Sequence, residues 1–163
     1  MRTQAFKYLM LAAALLVLVA AVSAAPSPDR AIDGSFEEAT AVRVGTGIVV
    51  EPKGVTGSAV YIVQLADAPL ATYRGNIGGL QATSPRFTGA RKLDPNSAAS
   101  QAYMAYLGEK RAEAIEAAGV AIERPLTIAF EYKATLNGFA AEMTSAEAHT
   151  IAKLPGVIRI ERE

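Results

Sequence analysis

The stretch LTIAFEYKATLNGFAAEMTSAEAHTIAKLPGVIRIE, Leu126–Glu161, decides the fold. Its first part alternates. Ile128, Phe130, Tyr132, Ala134 and Leu136 take one side, and Thr127, Ala129, Glu131, Lys133 and Thr135 take the other, which is the period-two pattern of a strand with one covered face. Asn137-Gly138 comes next, and both residues tolerate positive φ, so the pair is a strong hairpin signal. A two-residue turn there pairs Leu136 with Phe139. It returns Phe139, Ala141 and Met143 to the face of Ile128 and Phe130. Thr144-x-x-Glu147 reads as a capping box, with Met143 and Ala148 placed to form the hydrophobic staple around it. A helix follows through Ala148, Ile151 and Leu154, and Pro155-Gly156 ends it. Val157 to Glu161 is a last strand, with Ile158 and Ile160 opposite Val157, Arg159 and Glu161.

Upstream, Asp94-Pro95 is expected to open a helix, the Asp as cap and the Pro in the first turn. Tyr103, Tyr106, Leu107, Ala114, Ile115 and Ala118 recur at helical spacing, and Gly119 is the expected end. Ala59 to Ala66 is apolar on both faces and rich in β-branched residues, as a central strand should be. Asp67 to Leu93 is a long connection broken by Pro69, Gly75, Gly78, Gly79, Pro85 and Gly89. Connections of that length are functional or mobile when they carry no structure of their own. The order strand, helix, strand, strand, helix, strand is the α+β ferredoxin-like arrangement, βαββαβ, an antiparallel sheet with two helices on one face. The other face stays open. On the hairpin it is expected to carry Thr127, Ala129, Ala140 and Glu142, small enough for the face to be flat. Such a face is either solvated or accepts a partner, and the fold alone does not decide.

Residues 1–24 read as a secretory signal peptide: Arg2 and Lys7, an apolar run from Leu9 to Ala21, then Val22-Ser23-Ala24. Residues 25–58, rich in Gly and Pro, read as a flexible leader, with Ile48-Val49-Val50 as one short edge strand. Residues 59–163 form the folded domain. The expectation is a secreted or periplasmic protein with no membrane attachment once the signal is removed. Sixteen basic and 16 acidic residues leave no net charge, which argues against nucleic acid as a partner. The chain has no cysteine, so neither disulfides nor a lipid-modified thiol enter the account.

Catalytic chemistry finds no foothold. His149 is the only histidine, mid-helix, with no cysteine beside it, so neither a hydrolytic triad nor a metal site is expected. Gly75-Asn76-Ile77-Gly78-Gly79 lacks the Lys-Ser/Thr of a phosphate loop, and no cofactor is implied.

The ordered set Ala59-Val60-Tyr61-Ile62-Val63, Pro69, Tyr73-Arg74-Gly75, Leu93-Asp94, Tyr103, Leu107, Asn137-Gly138-Phe139-Ala140-Ala141 and Pro155-Gly156-Val157 resembles the propeptide of subtilisin-like serine proteases. The resemblance covers about Ser58 to Glu163 and implies the same ferredoxin-like fold. It implies a prodomain that assists folding of a subtilisin-like protease domain and inhibits it, in cis or in trans. The open sheet face would pack on two protease helices, and acidic residues matching Glu161 and Glu163 would face the helix starts, where free N–H groups carry partial positive charge. The protease-docking set is therefore Thr127, Ala129, Ala140, Glu142, Glu161 and Glu163. The family's Asp-Ser/Thr-Gly, His-Gly-Thr and Gly-Thr-Ser stretches are absent, so this chain is expected to be non-catalytic, a fragment of a subtilisin-like endopeptidase. The chain also stops close to the end of its last strand, which makes weaker inhibition the expectation. One alternative is a free-standing inhibitor or chaperone of such proteases. The other is an exported ferredoxin-like domain that binds a small ligand or assembles with itself.

Overall fold

The computed structural model describes residues 39–163. The expected signal peptide and the first part of the expected leader lie outside them. In chain order the elements are β1 (Ala39–Val44), β2 (Gly47–Pro52), β3 (Ser58–Leu65), the one-turn helix α1 (Pro85–Thr88), α2 (Ala98–Ala121), β4 (Thr127–Tyr132), β5 (Gly138–Thr144), α3 (Ser145–Ile151) and β6 (Val157–Arg162). The strands form one sheet in the order β1-β2-β6-β3-β5-β4. The last four, with α2 and α3, are the expected ferredoxin-like unit, and their pairings are all antiparallel. The β1–β2 hairpin widens the sheet to six strands and pairs parallel to β6.

One face of the sheet is covered. Val49, Tyr61, Val63, Phe139, Ala141, Met143, Val157 and Ile160 cluster with Ala118 of α2 and Ala148 and Ile151 of α3. Each large side chain buried there contributes on the order of 2 kcal/mol of hydrophobic stabilisation. The capping box forms as expected. Thr144 Oγ1 accepts from the Glu147 N–H, and Glu147 Oε2 accepts from the Thr144 N–H at 2.7 Å.

Several expectations are corrected. Part of the stretch read as a flexible leader is the β1–β2 hairpin. Val49 fills the main core, and the Gly47 N–H donates to the Ala152 carbonyl at 3.1 Å, an approach closed to any residue with a Cβ. Asn137-Gly138 is not a two-residue turn. Gly138 pairs with Tyr132, and residues 133–137 form the connection. Gly138 is needed because it lies flat against β3, where a Cβ would collide with the Val63 carbonyl. Asn137 is buried and hydrogen-bonded instead of turning the chain. Ala129 is an extra, unpaired residue in β4, so the alternation flips after Ile128. A second irregularity, at Ile158, places Val157 and Ile160 in the core and leaves Ile158 exposed.

Helix α2 is capped by Ser97 rather than Asp94, which instead accepts the Asn96 N–H one turn earlier. It also runs past Gly119, whose carbonyl accepts the Arg124 N–H as the chain turns back over it. The connection from Asp67 to Leu93 has a core of its own. Leu70 and Tyr73 are buried against Tyr103 and Leu107, and the rings of Tyr73 and Tyr103 stack at 3.6 Å. Thr83 Oγ1 donates to the Leu70 carbonyl, and the Ile77 N–H donates to Tyr73 Oη at 2.9 Å.

Candidate docking face

Strand register sets what the uncovered face presents, because residues paired across a sheet point to the same side. Three rows cross it. The first runs Ala41, Val50, Glu161, Ile62, Ala140, Phe130, each the register partner of the next. The second runs Arg43, Ile48, Arg159, Gln64, Gly138, Tyr132. The third holds Val60, Glu142 and Thr127. At its end the Glu163 N–H donates to the Val60 carbonyl at 3.0 Å.

Four of the expected docking residues, Thr127, Ala140, Glu142 and Glu161, therefore share this face, on β4, β5 and β6. Ala129 is the unpaired bulge residue and lies outside the rows. Glu163 is exposed just past the end of β6. The face is not flat. Ala140 is only 2% exposed, between Ile62 and Phe130 in the register, while Phe130 is 59% exposed and its ring meets Tyr132 edge-on at 5.0 Å. The bulge at Ala129 puts both rings here. Without it they would point to the helices, and Glu131 would point outward. Glu131 instead reaches Arg111 of α2 at 3.0 Å.

Glu161 is the one carboxylate in the first row. Arg159 Nε, on the same face, donates to its Oε2 at 3.0 Å. Val50 and Ile62 flank it on either side. An acid held outward from apolar neighbours suits a partner that offers cationic or N–H groups, and the charge gains most where docking excludes water.

The hairpin that brings Val50 here is fastened from the helix side. Glu51 accepts from Tyr61 Oη at 2.7 Å and from Ser145 Oγ at 2.6 Å, and His149 Nε2 lies 3.2 Å away. Burial pushes the Glu51 carboxyl up, but those hydrogen bonds outweigh it and hold it below its ordinary value. Burial, then the hydrogen bond to Glu51, pushes the Tyr61 hydroxyl up to about 12. The only histidine is thus a helix residue in a structural contact. Among the described residues no group of histidine, cysteine and carboxylate side chains is arranged to hold a metal.

Sequence reasoning missed Phe130, Tyr132 and Val50 as face residues, and it set Arg159 on the side of Glu161 without including it in the docking set. The single shift at Ala129 has no marker in the sequence, and the parallel pairing of β2 with β6 is a non-local event. Arg111 carried a readable signal. It falls four residues after Leu107 on the buried stripe of α2, where a charge must be paired. Its Nη1 donates to the Tyr132 carbonyl at 3.2 Å and to Asn137 Oδ1 at 3.4 Å, and Asn137 Nδ2 donates to the Asp67 carbonyl at 3.2 Å.

A family described as peptidase inhibitor I9 matches residues 60–163. The chain is similar to Subtilisin-like protease SBT2.5 of Arabidopsis thaliana, 29% identical over 105 residues, and that match covers 64% of this chain and 12% of the relative. It is similar also to Subtilisin-like protease SBT2.6 of the same organism, 27% identical over 104 residues, again 64% of this chain and 12% of the relative. No solved structure matches.

Proposed function

Because this chain belongs to the peptidase inhibitor I9 family and carries a subtilisin propeptide domain over residues 60–163, we propose that it docks on a subtilisin-like protease domain, helps it fold and inhibits it. The observation that carries the reading is the coincidence of the matched region with the ferredoxin-like unit, whose open face offers an apolar row interrupted by one oriented carboxylate, Glu161. Thr127 and Glu142 are the contact residues of β4 and β5, with Ala140 nearly covered between Ile62 and Phe130 on the same face and Ala129 and Glu163 at the margin. Phe130, at the β4 edge of the first row, is the apolar anchor, since aromatic residues that become buried on docking dominate interface energetics. Glu161 and Glu163 meet the amino-terminal ends of protease helices, where unsatisfied N–H groups favour an anion. The domain itself performs no catalysis. Removal of residues 1–24 as a signal peptide would deliver it to a secreted or periplasmic location, where a protease of this class would meet it, in cis or in trans.

The test uses the full chain as produced after export. Denatured subtilisin lacking its own propeptide is diluted into native buffer with and without the chain, and activity on a chromogenic peptide is followed. Recovery of activity followed by its suppression at higher chain concentration is the expected result. No change in refolding yield and no suppression at micromolar concentration would overturn the proposal.

A further inference from the structure

We propose that the β1–β2 hairpin is part of the docking surface. Val50, with Ile48 beside it, forms the outer half of an apolar collar around Glu161, and the occupant is the same subtilisin-like protease domain. The inference rests on the docking reading above and extends it to residues outside the matched region, which begins at residue 60.

Glu161 does not lie on a sheet edge. Its register partner on β3 is Ile62 and its register partner on β2 is Val50, so the carboxylate rises between two apolar side chains. The next pair outward on β2, Ile48 with Arg159, places an aliphatic side chain beside the guanidinium that holds Glu161. Without the hairpin, one flank of Glu161 would be open to water. With it, a docked partner closes on the carboxylate from both sides, and an ion contact ringed by water-excluding neighbours is worth more than an open one.

The hairpin is also pre-organised. Glu51 is tied to Tyr61, Ser145 and His149 on the helix side, Gly47 is tied to Ala152, and Val49 is fully buried in the main core. A surface already ordered in the free protein brings its apolar area to a complex without the entropy cost of ordering it. Charge selects the occupant. The row around Glu161 suits a partner with free cationic or N–H groups at its centre, whereas in a second copy of this chain the neighbouring cation of the same face, Arg159, is already engaged by its own Glu161.

The experiment measures inhibition of purified subtilisin by the full chain and by Val50→Thr, Glu161→Gln, the double variant, Ile48→Thr, Phe130→Ala and Val42→Thr. Threonine keeps the β-branched shape of valine, so the sheet is retained, and thermal melting checks this. Val42 is the control, because it pairs with buried Val49 and so points to the helix side. Val50→Thr is expected to weaken inhibition by roughly five-fold, with Ile48→Thr in the same direction and Val42→Thr without effect. Glu161→Gln is expected to cost less in the Val50→Thr background than alone, the coupling that a shared collar requires. Wild-type inhibition lost on Phe130→Ala but unchanged by Val50→Thr and Ile48→Thr would overturn this inference and leave the docking reading standing. No inhibition by the unaltered chain would overturn both. A concentration-dependent dimer abolished by Val50→Thr, without inhibition, would put a second copy in the place of the protease.

Discussion

Arg124 and Glu147 meet in two parallel contacts, Nε to Oε1 at 2.6 Å and Nη2 to Oε2 at 2.8 Å. The pair joins the turn after α2 to the first turn of α3, and Arg124 Nη2 also reaches the Glu142 carbonyl at 3.3 Å. The same Glu147 closes the capping box of α3, so one carboxylate serves a cap and a bidentate ion pair.

The hydrogen bonds from Arg124, reinforced by those from Thr144, pull the Glu147 carboxyl down from 4.5 to about 2. The folded value lies below the unfolded one, so the charged form stabilises the fold fully above about pH 4.5, and this stabilisation is lost as pH falls toward 2. Glu147→Gln keeps an acceptor for the Thr144 N–H but loses the charge pair with Arg124, and is expected to lower the melting temperature at pH 7 by the equivalent of about 0.5–1 kcal/mol. It is also expected to flatten the fall of melting temperature between pH 4.5 and 2 relative to the unaltered chain. Melting curves across that window check both, and parallel acid limbs for the two proteins would contradict the assignment.

Gly138→Ala is expected to be among the most damaging single-atom additions in the chain. The new methyl would collide with the backbone carbonyl of Val63, which cannot move without breaking the β3–β5 pairing. Overpacking against backbone costs about 1–3 kcal/mol or more. Gly78→Ala, with nothing within 4 Å of the added Cβ, serves as comparison and is expected to be close to neutral. Chemical denaturation of both variants decides it.

Tyr73→Phe removes the hydroxyl that accepts the Ile77 N–H, while Tyr73→Ala removes the ring stacked on Tyr103. The first is expected to cost about 1 kcal/mol and the second about 3–5 kcal/mol. The connection from Asp67 to Leu93 should then lose amide-exchange protection before β3 and β5 do, because Leu70, Tyr73, Tyr103 and Leu107 form a cluster separate from the main core.

Arg111→Met keeps the length of the side chain but removes its three hydrogen-bonded partners, Glu131, the Tyr132 carbonyl and Asn137. Arg111→Ala is expected to be worse than Arg111→Met, since it leaves a cavity in addition to the unpaired Asn137. Glu131→Gln should cost less than either, because Glu131 remains partly in water. Equal losses in all three would show that the charge pair alone, without the packing around it, holds the connection after β4.

The ferredoxin-like order was legible because each element from Ala59 onward carries its own local signature. The β-branched run at 59–66 and the periodicity of Tyr103, Leu107, Ala114 and Ala118 are examples, and the Thr144–Glu147 box appears where expected, although the cap of α2 is Ser97 and not Asp94. What was not legible depends on contacts far apart in sequence. Asn137-Gly138 looks like a tight turn, yet Gly138 is selected by Val63 in another strand and Asn137 by Arg111 and Asp67. The flip at Ala129 is set by how β4 settles against β5, and it moves Phe130 and Tyr132 from the expected core to the open face. The hairpin had only Ile48-Val49-Val50 to announce it. Its parallel pairing with β6 and the hold on Glu51 come from residues roughly a hundred positions away. Of the docking set, Thr127, Ala140 and Glu142 were placed on the open face by alternation and Glu161 by the family resemblance, whereas the aromatic residues beside them were not placed there.

The claim that this open face meets a subtilisin-like protease is tested most directly by two charge insertions on opposite sides of the domain. Phe130→Glu alters the open face, and Val120→Glu alters the far surface of α2, where Val120 is 74% exposed. Both positions are exposed, so both variants should melt close to the unaltered chain. The account predicts that Phe130→Glu weakens inhibition of subtilisin by at least about ten-fold, as loss of an aromatic anchor does, while Val120→Glu inhibits like the unaltered chain. Equal inhibition by the two variants would contradict it.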